Sequence, residues 1–91
     1  MKQGYNITYD RAANALYIYL RGVESVSQRE FSEDIILDLG EDGGLVGIEV
    51  LDPGADLSRL VGEFGLDPHL LSVVDTFRKL IPDTRKQLAL T

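Results

Sequence analysis

Over residues 34–51, DIILDLGEDGGLVGIEVL, two apolar runs flank a run of turn formers. That pattern predicts a β-hairpin. With Asp42 and Gly43 as the central pair of a type I′ turn, Leu39 faces Val46, Leu37 faces Ile48 and Ile35 faces Val50, so apolar pairs line one face. Asp38, Gly47 and Glu49 fall on the other face. A slip of one residue would set Leu37 against Glu49 or Gly47, so the pattern itself specifies the register.

Upstream, QGYNITY (residues 3–9) alternates with Tyr5, Ile7 and Tyr9 on one side and Asn6 and Thr8 on the other, the pattern of a half-buried strand. DRAAN follows, with an Asp that bonds its own downstream amides and an Asn that tolerates left-handed φ, which suits a short loop. In ALYIYL (15–20), Leu16, Ile18 and Leu20 share one face and Tyr17 and Tyr19 the other. Large groups on both faces place this strand inside the sheet, its tyrosines covered by a helix or a partner. ESVSQREF (24–31) is mostly polar and reads as an edge strand whose charges discourage edge-to-edge association. Four or five strands joined by short turns in chain order predict an antiparallel meander, ended by Pro53 and Gly54.

The period then changes from two to 3.6. Asp56 stands at a helix start, Leu57, Leu60, Val61 and Phe64 form a stripe, and Gly65 holds the C-terminal capping position. Asp67 and Pro68 repeat the start signal for a second helix with the stripe Leu70, Val73, Val74, Phe77 and Ile81, stopped by Pro82. The expected fold is therefore α+β: a four- or five-stranded antiparallel β meander followed by two C-terminal helices packing on the sheet. It forms one domain, with the meander over 1–55, the helical part over 56–82 and a tail over 83–91.

Composition narrows the function classes. Of 91 residues 44% are hydrophobic and 26% charged, which is ordinary globular usage rather than that of a disordered chain. Cysteine is absent, so thiolate metal sites and a cysteine nucleophile are excluded. No apolar run approaches the roughly 20 residues of a membrane span, and MKQGYNITYD lacks the apolar core of a signal peptide. The chain reads as soluble and cytoplasmic, with no membrane partner. Net charge is −6, which argues against nucleic acid as the partner. Residues 1–77 hold five Lys or Arg against fourteen acids, whereas residues 78–91 hold four against one. Arg78, Lys79, Arg85 and Lys86 therefore form a basic end, either complementing a helix dipole or docking on an acidic surface.

Candidate chemistry is sparse. His69 is the only histidine and falls in the first turn of the second helix, which excludes a histidine pair or triad within one chain. Residues 38–49 partly fit a calcium loop, with Asp38, Asp42, Gly43 and Glu49 in place, but Gly40 and Val46 occupy ligand positions and the flanks alternate like strands. Asp34, Asp38 and Glu49 share one face of the hairpin, and these carboxylates support an alternative reading as a small acidic metal-binding or hydrolytic domain. Tyr17 and Tyr19 with Ile36 form either an apolar patch for a partner or a surface under a helix.

YDRAANALYIYL (9–20) followed by EDIILDLGEDGGLVGIEVLD (33–52) resembles a bacterial family of small proteins catalogued as a domain of unknown function. The family pattern is Tyr-Asp, two variable residues, Ala-Asp, a variable residue and Leu-Tyr-Ile or Leu-Tyr-Val, then a hairpin of the type Asp-Gly-x-Leu-Val-Gly-Ile-Glu. The chain departs from it at Asn14, where the family usually shows Asp, so no charge-dependent role is carried onto Asn14. The resemblance covers roughly the first 55 residues. It implies a compact antiparallel β domain without established enzymatic activity, some members resembling the smaller, protective partner of a toxin–antitoxin pair.

The sequence thus points to a non-enzymatic protein that uses no cofactor or metal and works by association, as a homo-oligomer or with a basic protein, in an antitoxin-like way. The contact residues expected are Tyr17, Tyr19, Ile36, Arg78, Lys79, Arg85 and Lys86.

Overall fold

The computed structural model describes residues 6–81. In chain order these form β1 (Asn6–Asp10), β2 (Ala15–Tyr19), β3 (Ser27–Ser32), β4 (Ile35–Leu39), β5 (Leu45–Val50), α1 (Ser58–Phe64) and α2 (His69–Lys79). The chain divides into a sheet unit ending at Leu57 and a helical unit beginning at Ser58. The α+β class is as expected, with five antiparallel strands followed by two helices.

One link of the meander is corrected. The strand order is β1-β2-β5-β4-β3, so β2 pairs with β5 and not with β3. A sequential meander would have put SQREFS between β2 and β4, with Arg29 and Glu30 projecting from opposite faces in mid-sheet. Pairing β2 with β5 instead joins the strands that carry the apolar rows and leaves the polar strand at the edge. The connector from β2 to β3 crosses the sheet end along β5 and β4. The Leu20 and Arg21 N–H groups donate to the Val46 carbonyl at 2.9 and 3.1 Å, and the Val26 N–H donates to the Leu39 carbonyl at 2.8 Å.

Register then builds the core. Ile18, Ile48 and Leu37 face one another across β2, β5 and β4, and each is 0% exposed. Leu16, Val50 and Ile35 form a second buried row beside them. Within the β4–β5 hairpin, Ile35 faces Val50 and Leu37 faces Ile48 as the pattern predicts, but Leu39 faces Leu45 rather than Val46. The turn explains the difference. Gly43 alone takes positive φ, 80°, and its N–H donates to the Gly40 carbonyl at 2.9 Å, so Glu41 and Asp42 are the central residues of a type I turn. The Asp42 carboxylate accepts the Gly44 N–H at 2.9 Å, an arrangement that needs no left-handed Asp. The extra residue emerges as a bulge at Val46, the carbonyl that anchors the connector.

In the helical unit, Gly65 with φ 61° ends α1, and the Leu66 N–H reaches back to the Val61 carbonyl at 3.0 Å, a Schellman closure. Asp67 Oδ1 accepts the His69 N–H at 3.0 Å just ahead of α2, whose N-cap position falls on Pro68 rather than on Asp67 and carries no side-chain cap bond. Leu60, Val61, Leu70 and Val74 are the buried residues of the two helices. No helix among the described residues is long and apolar enough to cross a membrane.

Candidate interaction face

The sheet face opposite the buried rows carries the side chains of interest. Residues that pair directly across strands share a face. Thr8 with Tyr17, Tyr17 with Glu49, Glu49 with Ile36, and Ile36 with Glu30 therefore form one row, and Asn6, Tyr19, Gly47, Asp38 and Gln28 form the next. Both rows cross all five strands.

A hydrogen-bonded chain fixes the centre of this face. The Tyr17 hydroxyl of β2 donates to Asp38 Oδ2 of β4 at 2.5 Å, crossing β5 on the way. Gln28 Nε2 of β3 donates to the other oxygen, Oδ1, at 2.9 Å. Asp38 is buried, and these two bonds keep its carboxylate solvated by protein where water is scarce. Gly47 makes the crossing possible. A Cβ there would lie 2.6 Å from Tyr17 Cζ and collide with the Tyr17 hydroxyl, so only glycine leaves room for the ring. Burial, followed by the hydrogen bond to Asp38 and by the negative charge of Asp38, holds the Tyr17 hydroxyl protonated well above the usual phenol range.

Tyr19 stands against this fixed ring, with centroids 4.4 Å apart at 66°, an edge-to-face contact. Its own side chain is 47% exposed. The face thus presents a large aromatic group whose neighbour is hydrogen-bonded to Asp38 of β4, itself held by Gln28 of β3.

At one end of the face, Thr8, Asp10, Ala13, Ala15, Leu16, Tyr17 and Glu49 line a depression of about 240 Å³. The β1–β2 turn shapes it. Asp10 Oδ1 accepts the Ala12 and Ala13 N–H groups at 3.0 and 3.3 Å, and Asn14 takes φ 54° while its Oδ1 accepts the Tyr9 hydroxyl at 2.6 Å. Both duties of Asn14 are neutral ones: a left-handed turn and a hydrogen-bond acceptor.

Tyr17, Tyr19 and Ile36 therefore share one face, as expected, and Asp38 and Glu49 share it with them. Asp34 lies outside β4, and among the described residues no three His, Cys, Asp or Glu side chains come together as a metal site. Both Asp38 oxygens are already engaged by Tyr17 and Gln28. Arg78 and Lys79 lie in the last turn of α2 and pair with Asp75 at 2.5 and 3.4 Å; the Arg78 hydrogen bond first, then that of Lys79, lowers the Asp75 pKa. Arg85 and Lys86 lie outside the described residues. His69 is exposed at the start of α2.

Sequence reasoning places Gly47 on this face but misses that it makes room for the Tyr17 ring, and it misses Gln28 and Glu30 as parts of the face. The signal for Gly47 was present, a glycine in the interior of an otherwise apolar strand, which marks a close approach. Gln28 and Glu30 carried no such signal, because their place depends on β3 pairing with β4 in a particular register.

A protein-family model described as "Protein of unknown function (DUF2283)" matches residues 6–52, which are the five strands and their connections. No curated protein matches this chain, and no solved structure does.

Proposed function

The chain belongs to the DUF2283 family of proteins of unknown function, and from that premise we propose that it is a non-enzymatic association module whose tyrosine-bearing sheet face docks another protein. The partner is a second copy of the chain or a larger protein, an antitoxin-like pairing being one form of the latter. One observation carries the reading: Tyr19 is 47% exposed yet packed edge-on against a Tyr17 ring that is tied to Asp38. A large aromatic group held in place before contact loses little conformational freedom on binding, which is the property of an interface anchor. Ile36, half-buried, extends the apolar part of the face, and Glu49 and Glu30 supply a polar surround. The carboxylate alternative is weakened because Asp38 is committed to the tyrosine network.

The test is affinity capture of the full chain, tagged, from its own host, beside a Tyr19→Ala, Ile36→Ser variant. The wild type is expected to hold one protein, or its own copy, at fixed stoichiometry, and the variant to lose about tenfold or more of it. The variant's melting temperature should stay within a few degrees of wild type, because Tyr19 is exposed and Ile36 is outside the buried rows. An undiminished complex in a folded variant rejects the face as the contact.

A further inference from the structure

The charges on the sheet face select the partner. Asp10, Glu30, Asp38 and Glu49 all lie on the tyrosine-bearing face by register, and among the described strand residues no Lys or Arg does. Arg29 is the one basic residue in the five strands, and its pairing with Leu37 puts it on the opposite face. The sheet unit as a whole holds eleven acids against four bases. Glu30 and Glu49 form no ion pair among the described residues, whereas the nearby Arg21 is engaged by Asp42 at 3.1 Å.

We infer that the occupant of this face is an arginine-bearing segment of a different protein, which stacks a guanidinium on the Tyr17–Tyr19 pair beside Glu49. The inference rests on the association reading above and names its partner. Complementary charge is what selects it. A second copy docking face to face would set four acids against four with no Lys or Arg among the described strand residues between them, which costs like-charge repulsion at the centre of the contact. Nucleic acid is disfavoured on the same ground, since phosphate would meet those carboxylates. A guanidinium suits the geometry better than an ammonium. It is planar, stacks on aromatic faces and still offers N–H groups sideways to a carboxylate, and Glu49 is the residue directly across from Tyr17. The depression between Asp10 and Glu49, with the Thr8 hydroxyl in its wall, is a second place where such N–H groups find acceptors.

The experiment is an NMR titration of the full chain with a short capped peptide alternating arginine with glycine, and with its lysine and glutamate counterparts. The arginine peptide is expected to move the Tyr17, Tyr19 and Glu49 amides and to bind at least about threefold more tightly than the lysine peptide. The glutamate peptide should not bind. Glu30→Gln with Glu49→Gln should weaken the arginine peptide about three- to tenfold. Equal binding of the arginine and lysine peptides, or shifts confined to other surfaces, overturns the guanidinium assignment. Sedimentation of the same samples separates the two levels of the argument. If the double Gln variant dimerises through Tyr19 and no peptide binds, the face associates but its partner is a second copy. If Tyr19→Ala alters neither peptide binding nor sedimentation, the association reading fails with it.

Discussion

At the scale of single residues, Tyr17 is the hinge of the account. Its hydroxyl is raised above the ordinary phenol pKa of about 10 by burial first and by the bond to Asp38 second. A group whose folded pKa lies above its unfolded one contributes stability that is complete below the unfolded value and is lost as pH rises towards the folded one. Wild-type unfolding free energy should therefore decline from about pH 10 upward. Tyr17→Phe is expected to cost about 1–2 kcal/mol at neutral pH, since Asp38 keeps only Gln28. That variant should also lack the part of the alkaline decline that belongs to Tyr17, so the two stability curves converge above pH 10. Urea unfolding of both chains across pH 7–11 checks this, and parallel curves would contradict it. Asp42 works in the opposite sense. The Gly44 N–H, then Arg21, lowers its pKa, so its contribution is present above the usual carboxylate range and fades as acid takes the pH through the folded value.

Tyr17 also shows how far single residues were legible. Alternation in ALYIYL placed its ring on the face opposite Leu16 and Ile18, and the structure agrees. The partner of its hydroxyl was not legible, because Asp38 is two strands away in a sheet whose order departs from chain order. The hairpin acids were correctly read as sharing a face for Asp38 and Glu49, but a sequence pattern carries no information on which carboxylate is buried and bonded.

At the scale of elements, β5 is the strand through which the sheet is assembled, with β2 on one side and β4 on the other. Its alternation was readable and gave the correct pairing of Leu37 with Ile48 and Ile35 with Val50. Its turn was misread because Asp-Gly suits two turn chemistries: one with both residues left-handed, the other with only the glycine left-handed and a bulge after it. The capping of Asp42 onto Gly44 selects the second. Gly47 is where β5 meets the tyrosine network. Gly47→Ala gains about 0.5–1 kcal/mol from a less flexible unfolded chain. It also forces a methyl group against a ring that Asp38 holds in place, an overpacking cost of about 1–3 kcal/mol, and this second effect wins. The variant should unfold at lower urea, by a net of roughly 1–2 kcal/mol, and should lose the alkaline dependence assigned to Tyr17. A variant as stable as wild type would show that the ring moves aside freely.

At the scale of the whole molecule, the class was readable because the two periodicities separate cleanly, period two through Val50 and period 3.6 from Ser58 onward. Strand order was not. Chain-order adjacency is a good rule for hairpins, and both hairpin sets obey it, but the β2–β5 link is decided by which strands have apolar rows to bury together. Putting the polar β3 at the edge and joining β2 to β5 also assembles the acidic tyrosine face, since Tyr17 reaches Asp38 only across Gly47. The central claim, that this face is the contact surface, is tested most directly by nitration of tyrosines with tetranitromethane, mapped by peptide mass spectrometry in the free chain and in its captured complex. Tyr19 is predicted to react readily in the free chain and to be protected in the complex, while Tyr17, with its hydroxyl donated to Asp38, reacts slowly in both. Tyr19 equally reactive free and bound would contradict the account.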